Sequence, residues 1–584
     1  MKDIVKKPAI SLGFIFILFI QHSTSRLSSD AAIQQQSPKY ISITANRDTC
    51  IGCFLLVSVI EQLAQVHNTT VLKSMELLCS YLPEEYALRG MCTMLAEIFG
   101  PELVKLFSHN WNADVICHAI NLCNTDPRYP ICHLSPKSKK GFKKSIKKAE
   151  KIVKQSTYLQ SSEVISGVLI KICSIPFLKR ICEILESSIP LQDFDKDNFS
   201  SFPTMRGYDW RGRDCNDANN SVYPGRRPAN WDSVQDSNCN GISGVDTEDG
   251  IPYEKKFCEG TDAKGIILLG DSAGAHFHIP PEWLTAKTMS EKTFSNLPLA
   301  ISNELDWPQF SQYTGYENST IGGWTNSLYL RLRKSNRCNH RDYQNISRNG
   351  GSSHNLLDFL KSLARNQQLD KPAVVFYAMI GNDVCNAHAD TLSQMTTPQK
   401  MLSNVMGTLE YLDSHLPNGS HVIFIGLADG RFLWDTLHNR YHPIGELNKD
   451  VTYAQLYSFL SCLQSNPCEG WMNQNETLRN LTTERAEQLS NVLKEIALSK
   501  KFKNFDVFYI EHLYQKVISE WTKMGKAPWD LIEPVDGFHP NQIASALGAD
   551  IIWKEVTQTW PEVFGKENPY NEAIIAKFAD QGGH

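Results

Sequence analysis

Sixteen cysteines constrain this chain more than any other feature of its 584 residues. An even number this large indicates disulfides formed in an oxidising compartment, or several metal sites. The amino terminus favours disulfides, because a lysine-rich start is followed by an apolar run over residues 9–20 and then by polar residues. This arrangement is typical of a cleaved secretory signal peptide. We assign residues 1–25 to it and residues 26–45 to a candidate propeptide.

The remaining sequence has no apolar stretch of the roughly 18 residues that a membrane span needs. We therefore predict no transmembrane segment, with a signal anchor at the amino terminus as the alternative. The net charge of −5 argues against nucleic acid as a partner. Eight Asn-X-Ser/Thr sequons occur, and in a secretory chain they are candidates for glycosylation. Asn198 and Asn219 lie among candidate metal ligands and are expected to stay unmodified. Six sequons are predicted to be glycosylated: Asn68, Asn318, Asn345, Asn418, Asn475 and Asn480.

Six of the cysteines fall in one stretch near the amino terminus: Cys50, Cys53, Cys79, Cys92, Cys117 and Cys123. Apolar residues between them recur at helical spacing, as over 54–63 and 71–78. Six cysteines allow 15 pairings, so spacing alone leaves the connectivity open. The stretch resembles a saposin B-type domain, which we place at residues 46–127. The resemblance implies the pairs Cys50–Cys123, Cys53–Cys117 and Cys79–Cys92 and an apolar surface that engages lipid. A disulfide-linked helical module without a lipid role is the alternative.

A lysine-rich segment follows, with nine lysines and one glutamate over residues 137–154. Such a charge run is typical of a solvated, flexible linker, and an exposed linker is easily cut by proteases. We predict a linker over residues 128–165 with maturation cleavage between about 138 and 165; contact with anionic lipid is the alternative. Cys132 would join the resulting fragments through a later cysteine, and we choose Cys462. Cys173 and Cys182 are close enough in sequence to pair.

Residues 166–255 form an Asp/Asn-rich region. Calcium takes six to eight oxygen ligands, and Asp and Asn at alternate loop positions supply them. Histidine and cysteine clusters are missing from its sequence, so zinc fits poorly. The runs resemble the calcium-binding loops of thrombospondin type 3 repeats, and we predict two or three structural ions, with a solvated Asx-turn region as the alternative. Cys215 and Cys239 are expected to pair and hold the loops. The predicted ligands, including three main-chain carbonyls, are Asp193, Asp195, Asp197, Phe199, Asp214, Asn216, Asp217, Asn219, Val222, Asp232, Asp236, Asn238, Asn240, Ile242 and Asp246.

Chemistry-bearing residues follow two apolar runs in the second half of the chain. A strand-like run over 265–270 leads into Ser272, and another over 373–380 leads into Asn382. Asp536 and His539 come near the carboxyl terminus. A serine at a tight turn after a buried strand can be a nucleophile whose own N–H faces the substrate carbonyl. Each of these motifs alone is common and more often structural. Only their order along the chain indicates a catalytic site.

This order resembles the SGNH (GDSL-type) hydrolase family. The resemblance implies that Ser272 is the nucleophile, that His539 is the general base and that Asp536 orients the imidazole. The oxyanion hole would combine the N–H of Ser272, the side-chain amide of Asn382 and a glycine N–H, for which we choose Gly350 over its neighbour.

The same apolar runs predict an α/β fold. Strands near 265–270, 373–380, 421–427 and 505–510 alternate with helices, such as those near 355–363 and 484–499. We predict an α/β/α sandwich of the SGNH-hydrolase type with a mostly parallel sheet over residues 256–565, preceded by the small all-α saposin domain and the calcium-binding loop region, and followed by a tail over 566–584. The active site should lie at the carboxyl ends of the strands.

Taken over nearly the whole chain, this arrangement resembles the acyloxyacyl hydrolase family. The resemblance implies a carboxylic ester hydrolase that releases secondary fatty acyl chains, those esterified to hydroxyls of other acyl chains, from the lipid A of bacterial lipopolysaccharide. It also implies a precursor cut into disulfide-linked small and large subunits that are secreted and held in lysosome-like vesicles.

Other functions stay open from the residues alone. A phospholipase, lysophospholipase or acyltransferase could use the same scaffold, with phospholipid as a second candidate substrate. A carbohydrate deacetylase would not need the lipid-handling domain, and a non-catalytic lipid carrier would not need the complete set of catalytic residues. Arg333, Lys334 and Arg337 are candidates for contact with lipid A phosphates, with a solvated surface as the alternative.

Overall fold

The structure is a computed structural model, and it describes residues 38–123, 130–136, 141–155 and 187–584. The predicted signal peptide, most of the predicted propeptide, the Cys173–Cys182 pair and much of the predicted cleavage region lie outside these residues.

The second half of the chain is built on a five-stranded sheet whose order is β2-β1-β3-β4-β5. Every pairing within it is parallel. The strands are β1 Gly265–Gly270, β2 Tyr343–Ser347, β3 Ala373–Ala378, β4 Ser420–Ile425 and β5 Phe505–Ile510. The inner strands are buried on both faces, which is why they appear in the sequence as continuous apolar runs.

Helices cover both faces of this sheet, so the predicted α/β class is confirmed. Successive strand residues point to opposite faces, and within β1 Ile267 joins one hydrophobic cluster and Ile266 the other. The cluster that contains Ile267 also contains buried residues of the helix Glu476–Ser499. The cluster that contains Ile266 contains buried residues of the helix Gln542–Thr559.

The described helices are, in chain order, α1 Pro38–Val66, α2 Val71–Tyr81, α3 Leu88–Phe107, α4 Ala113–Ala119, α5 Phe142–Val153, α6 Tyr253–Cys258, α7 Ser272–Ala275, α8 Leu297–Ser302, α9 Leu328–Ser335, α10 Leu356–Leu360, α11 Thr391–Gln394, α12 Pro398–His415, α13 Arg431–Leu437, α14 Tyr453–Cys462, α15 Glu476–Ser499, α16 Leu513–Lys523, α17 Gln542–Thr559, α18 Pro561–Phe564 and α19 Asn571–Phe578. Short 3₁₀ turns lie at Glu85–Ala87, Ala229–Asp232, Pro281–Leu284, Pro308–Phe310, Arg337–Asn339, Pro443–Gly445 and Pro528–Leu531.

Strand β2 was not predicted, because its sequence Tyr-Gln-Asn-Ile-Ser contains no apolar run. It is one of the two edge strands, and the Asp/Asn-rich region covers it: the N–H of Asn345 donates to the carbonyl of Trp210 at 2.7 Å. The predicted glycosylation of Asn345 is therefore wrong. Its side chain is buried and its amide donates to the carbonyl of Gly274 and the hydroxyl of Thr314. The other five predicted glycosylation sites are exposed.

Helices α1 to α4 form the small all-α domain. The structure pairs Cys50 with Cys123, Cys53 with Cys117 and Cys79 with Cys92, as the saposin resemblance implied. Among the described residues, only the part of α1 at Thr49–Val66 is long and apolar enough to cross a membrane by composition. Most of that stretch is buried inside the protein, as is common for a core helix.

The predicted linker is in part a docked helix, which corrects the prediction for residues 142–153. Helix α5 buries Ile146, Ala149 and Val153 while its lysines face outward. The ring of Phe142 lies 5.7 Å from the ring of His118 on α4. Apolar residues at helical spacing thus outweigh the charge run in this segment.

The predicted tether between the small domain and the α/β domain is present: Cys132 is bonded to Cys462 at the end of α14. The two units also meet directly, since the rings of Phe54 and Phe459 lie 5.8 Å apart and the side-chain amide of Gln62 donates to the carbonyl of Ile444. Four cysteines whose pairing was left open form Cys258–Cys338 and Cys385–Cys468.

The predicted tail at 566–584 is an integral part of the fold, which corrects the domain boundary. Its helix α19 buries Ile574 in a cluster with Ile242 and Phe257. The side-chain amide of Gln581 donates to the carbonyl of Asn240 at 2.6 Å. The last residues therefore hold the Asp/Asn-rich region against the α/β domain.

Candidate active site

Ser272 is the first residue of the short helix α7, directly after β1. Asp271 fixes this turn: one carboxylate oxygen accepts the N–H of Ala273 at 3.0 Å, and the other accepts the N–H of Ile380 after β3 at 2.9 Å. Burial raises the pKa of Asp271 to about 6. A side chain at Gly274 would lie 2.7 Å from the Ser347 hydroxyl, so only glycine lets α7 approach the sheet this closely.

The structure brings the three predicted triad residues together. The Ser272 hydroxyl lies 2.7 Å from Nε2 of His539, although the two residues are 267 positions apart. The Nδ1 of His539 lies 2.6 Å from one carboxylate oxygen of Asp536. The other carboxylate oxygen accepts the N–H groups of Phe538 and His539. This geometry suits a neutral imidazole that takes the serine proton at Nε2 and is oriented by the carboxylate at Nδ1.

Two opposing effects act on the pKa of His539. Burial disfavours the charged imidazolium, while the carboxylate and hydrogen bond of Asp536 favour it, with Asp271 and Glu533 adding to the second effect. The net result is a pKa of His539 above its ordinary value. The environment thus stabilises the imidazolium that forms when the serine gives up its proton.

Three side chains hold the loop that carries Asp536 and His539, and local sequence gave no signal for them. Tyr453 donates to the carbonyl of Pro534, and Tyr457 donates to that of Gly537. Nε2 of His442 lies 2.8 Å from the carbonyl of Val535, and burial lowers the pKa of His442 to about 4. They come from a segment about 80 to 90 residues earlier in the chain, so only the folded structure reveals them.

Asn382 and Gly350 line the same cavity as Ser272, as the oxyanion-hole prediction requires. The Asn382 amide donates to the carbonyl of Gly351 at 2.9 Å, and its second N–H remains available as a donor. The N–H of Gly351 is used by the carbonyl of Arg348, whereas Gly350 lines the cavity in front of Ser272 with a φ of 71° that favours glycine. This arrangement supports the choice of Gly350.

We expect Asn382→Ala to lower kcat by about 10² to 10³ with KM nearly unchanged. The amide would act mainly on the charged tetrahedral intermediate, so its loss should affect the transition state more than substrate binding. Steady-state kinetics on a short soluble ester measures this effect. Asn386→Ala, a nearby asparagine outside both cavities, should keep its activity. An unchanged kcat in Asn382→Ala would remove this residue from the oxyanion hole.

Two apolar cavities meet at Ser272, Asn382, Phe538 and His539. The inner cavity, of about 60 Å³, lies within the hydrolase domain and its apolar lining includes Phe432, Leu433, Trp471, Val517 and Leu531. The outer cavity, of about 170 Å³, lies between the domains and its apolar lining includes Ile51, Phe54, Leu55 and Leu134 from the saposin side and Leu456 and Phe459 from the hydrolase side. The triad therefore faces apolar space on both sides.

The basic residues considered for lipid phosphates lie elsewhere. Arg337 and its neighbours precede β2, at the amino-terminal edge of the sheet, whereas Ser272 lies at the carboxyl-terminal edge. Arg333 donates hydrogen bonds to the ring of His340 and to the carbonyl of Asp580. The structure therefore places Arg333, Lys334 and Arg337 away from the triad, and their contact with lipid A phosphates stays a prediction.

The Asp/Asn-rich loops gather carboxylates in two overlapping groups. Asp193, Asp195 and Asp197 form one, and Asp195, Asp214 and Asp217 form the other, each with ligand oxygens within 4.8 Å of one another. The disulfide Cys215–Cys239, which the sequence predicted, holds these loops. Mutual repulsion within such groups requires a cation or bound protons.

These loops fit a hard cation because several of their carboxylate oxygens are buried without a hydrogen-bond partner. Buried carboxylate oxygens without a hydrogen-bond partner occur in Asp195, Asp197, Asp214, Asp217, Asp232 and Asp236. Burial, with repulsion from neighbouring aspartates, raises the pKa of Asp197 to about 8 and that of Asp214 to about 7. A divalent cation would satisfy these oxygens and keep them ionised.

Two positions in this region differ from the prediction. Asp246 is paired with Lys256 at 2.7 Å, and this hydrogen bond lowers the pKa of Asp246, so it is an ion-pair partner and not a ligand. The sequence did not predict that Glu254 belongs to this polar cluster, because it lies outside the runs of alternating Asp and Asn. It is fully buried, and its carboxylate accepts from the side-chain amides of Asn238 and Asn240.

Two family models match the chain. Residues 49–183 match the saposin-like domain, and residues 266–552 match the GDSL-like lipase/acylhydrolase. The first match begins at the start of the six-cysteine stretch and includes the docked helix α5. The second includes the triad and all five strands apart from Gly265, the first residue of β1.

Curated proteins from three mammals match nearly the whole chain, and each is named acyloxyacyl hydrolase. The protein from Oryctolagus cuniculus is 58% identical and covers 98% of this chain, that from Homo sapiens is 59% identical over 97%, and that from Mus musculus is 56% identical over 98%. In each case 98% of the relative is covered. With the GDSL-like domain, these similarities identify the chain as an ester hydrolase with a saposin-like domain. The chain belongs to the acyloxyacyl hydrolase family.

Proposed function

We propose that this chain removes secondary, acyloxyacyl-linked fatty acyl chains from the lipid A of bacterial lipopolysaccharide. Ser272 would attack the ester carbonyl, His539 would take the serine proton and pass it to the leaving hydroxyl, and water activated by His539 would release the fatty acid. The N–H of Ser272, the N–H of Gly350 and the Asn382 amide would bind the oxyanion.

The observation that carries this proposal is the pair of apolar cavities that meet at Ser272. A secondary acyl ester has hydrocarbon on both sides of the reacting carbonyl: the chain to be released and the chain that carries it. One cavity could take the released chain, and the other, with its saposin wall, could take the remaining lipid. Burial of hydrocarbon in these cavities would supply the binding free energy.

The test is incubation of the purified protein with lipopolysaccharide and, separately, with phospholipid vesicles. The fatty acids released are then identified by mass spectrometry. We expect fatty acids that were esterified to other acyl chains to be released, while those attached directly to the sugars are retained. Release of the sugar-attached chains, or hydrolysis of phospholipid only, would contradict the proposed substrate.

A phospholipase is the second candidate, because the outer cavity would also accept the acyl chains of a glycerophospholipid. The phospholipid arm of the same experiment decides between the two. Faster hydrolysis of phospholipid than of lipopolysaccharide at equal ester concentration would favour it.

We also propose that the Asp/Asn-rich loops hold two or three structural calcium ions. One carboxylate oxygen in each of these aspartates lacks a hydrogen-bond partner; those of Asp195, Asp197, Asp214 and Asp217 are the candidate ligands at one place, and those of Asp232 and Asp236 are candidates at another. We expect the ions to act on stability, because these loops cover the edge strand β2.

We expect calcium removal to lower the melting temperature more at about pH 7.5 than at about pH 5. Without the ion, Asp197 and Asp214 bind protons up to about pH 8 and pH 7 in the folded state, whereas unfolded aspartates release theirs near pH 4. The stability of the metal-free protein therefore falls as pH rises through this range. Differential scanning calorimetry with and without a chelator measures the difference.

The control for this prediction is a matched pair of variants. Asp197→Asn should weaken the calcium response, whereas Asp246→Asn should keep it because Asp246 is paired with Lys256. An equal calcium response at both pH values, or an equal loss in both variants, would contradict the assignment.

We further propose secretion or lysosomal residence and cleavage into two subunits that Cys132–Cys462 keeps joined. The seven described disulfides require an oxidising compartment. Because α5 is docked, cleavage is expected outside residues 142–153. Electrophoresis of the cleaved protein should give one band without reductant and two bands with it. Cys462→Ser should give two bands in both cases, and persistence of a single band would contradict this tether.

A further inference from the structure

A second buried imidazole–carboxylate pair lies next to the triad. Nδ1 of His278 is 2.6 Å from a carboxylate oxygen of Glu533, and both side chains are at least 95% buried. His278 follows Ser272 by six residues, and Glu533 precedes His539 by six. The pair thus joins the segment of the nucleophile to the loop of the base.

The His278 side of this pair is held independently of Glu533. The N–H of His278 donates to the carbonyl of Leu305 at 3.0 Å, and the indole N–H of Trp307 donates to the carbonyl of His278 at 3.0 Å. Trp307 is fully buried, and its ring meets that of His278 edge to face. His278 is therefore a fixed point after the turn that carries Ser272.

The Glu533 side belongs to the loop that positions the base. The N–H of Glu533 donates to the carbonyl of His539 at 2.8 Å, and the N–H of Gly537 donates to the carbonyl of Glu533 at 2.9 Å. These bonds close the loop 533–539 around Asp536. A shift of Glu533 toward or away from His278 would therefore move Asp536 and His539 with it.

We propose that His278 and Glu533 are positioning residues, whose hydrogen bond sets the distance between the Ser272 hydroxyl and the imidazole of His539. Neither touches the reacting atoms. The loop 533–539 is held on one side by His442, Tyr453 and Tyr457 and on the other by this bond. The pair supplies a second hydrogen-bonded link between the nucleophile segment and the base loop, besides the bond between Ser272 and His539.

The charge of Glu533 is a competing explanation for an effect of this residue on catalysis, because Glu533 also interacts electrostatically with Asp536 and His539. Burial raises the pKa of Glu533, repulsion from Asp536 raises it further, and His278 and His539 act in the opposite direction. Position and charge can be separated by changing one at a time. Glu533→Asp keeps the charge and shortens the side chain by one methylene, whereas Glu533→Gln keeps the length and removes the charge.

We expect Glu533→Asp to lower kcat by about 10 to 10² with KM nearly unchanged, because small misplacements of catalytic groups have effects of this size. Glu533→Gln should lower kcat less than Glu533→Asp does, since its amide oxygen can accept the same hydrogen bond and only the smaller contribution of its charge to the His539 imidazolium is lost. The assay uses a short soluble ester with active sites titrated by a fluorophosphonate, so it does not depend on lipopolysaccharide being the substrate.

The control is Asp342→Glu. Asp342 forms a buried pair with Arg365 at 2.7 Å, before β2 and therefore at the opposite edge of the sheet. This variant should lower the melting temperature and leave kcat per titrated site unchanged. An unchanged kcat in Glu533→Asp would show a purely structural role, and a larger loss in Glu533→Gln than in Glu533→Asp would show that charge acts instead; either result would overturn the proposal.

Discussion

Ser272→Ala is expected to lower kcat by about a millionfold on every ester substrate, as loss of the nucleophile does in serine hydrolases of other folds. Without the hydroxyl there is no atom 2.7 Å from Nε2 of His539 to attack the carbonyl. Only the oxyanion hole and substrate binding would remain to accelerate hydrolysis by water. The melting temperature should change little, because the substitution removes one oxygen from the edge of a cavity.

Ser465→Ala is the matched control, because Ser465 lines the outer cavity but lies outside the triad. It should keep both its kcat and its stability. Retention of more than about 1% of the activity in Ser272→Ala would be far above the residual expected for a missing nucleophile and would contradict its assignment.

Asp536→Asn is expected to lower kcat by about 10⁴ with KM nearly unchanged. The amide has the same size, and its oxygen can still accept the N–H groups of Phe538 and His539. Its NH₂ group, however, cannot accept the proton of Nδ1. The imidazole would turn over or adopt the other tautomer, so that Nε2 carries a hydrogen and cannot act as a base.

Pre-steady-state and steady-state kinetics on a soluble ester measure this loss. Asp530→Asn provides the control, because Asp530 lies in the turn just before the same loop and is outside the triad. Equal, small effects of both substitutions would show that Asp536 does not orient the base.

The sequence predicted the catalytic residues better than the residues and strands that hold them in place. Strand β1 and Ser272 were recognisable because the fully buried β1 is a continuous apolar run that ends two residues before Ser272. Edge strand β2 has no such run, and the missed strand led directly to the wrong glycosylation prediction at Asn345. An apolar run marks a buried strand only where its buried side chains are apolar, and in β2 the buried polar side chains of Gln344 and Asn345 form hydrogen bonds instead.

Helix α5 shows a different limit. Phe142, Ile146, Ala149 and Val153 are spaced for one helix face, and the sequence displays this spacing. The surrounding lysines were given more weight, although long lysine side chains can extend into water from a docked helix.

Long-range pairs were beyond sequence reasoning for a separate reason. His278 and Glu533 are 255 residues apart, and nothing local to either residue indicates the other. The same holds for Cys258–Cys338 and Cys385–Cys468, whose partners are 80 and 83 residues away. Such pairs depend on how the strands are ordered in the sheet.

The most direct test of the central claim, that Ser272 is the nucleophile of a lipid esterase, is labelling with a long-chain alkyl fluorophosphonate. Peptide mass spectrometry locates the label while fatty acid release from lipopolysaccharide is followed in the same sample. We predict one label per chain, on Ser272, and a loss of fatty acid release in proportion to the labelled fraction. A label on another residue, or full release from protein labelled completely at Ser272, would contradict the claim.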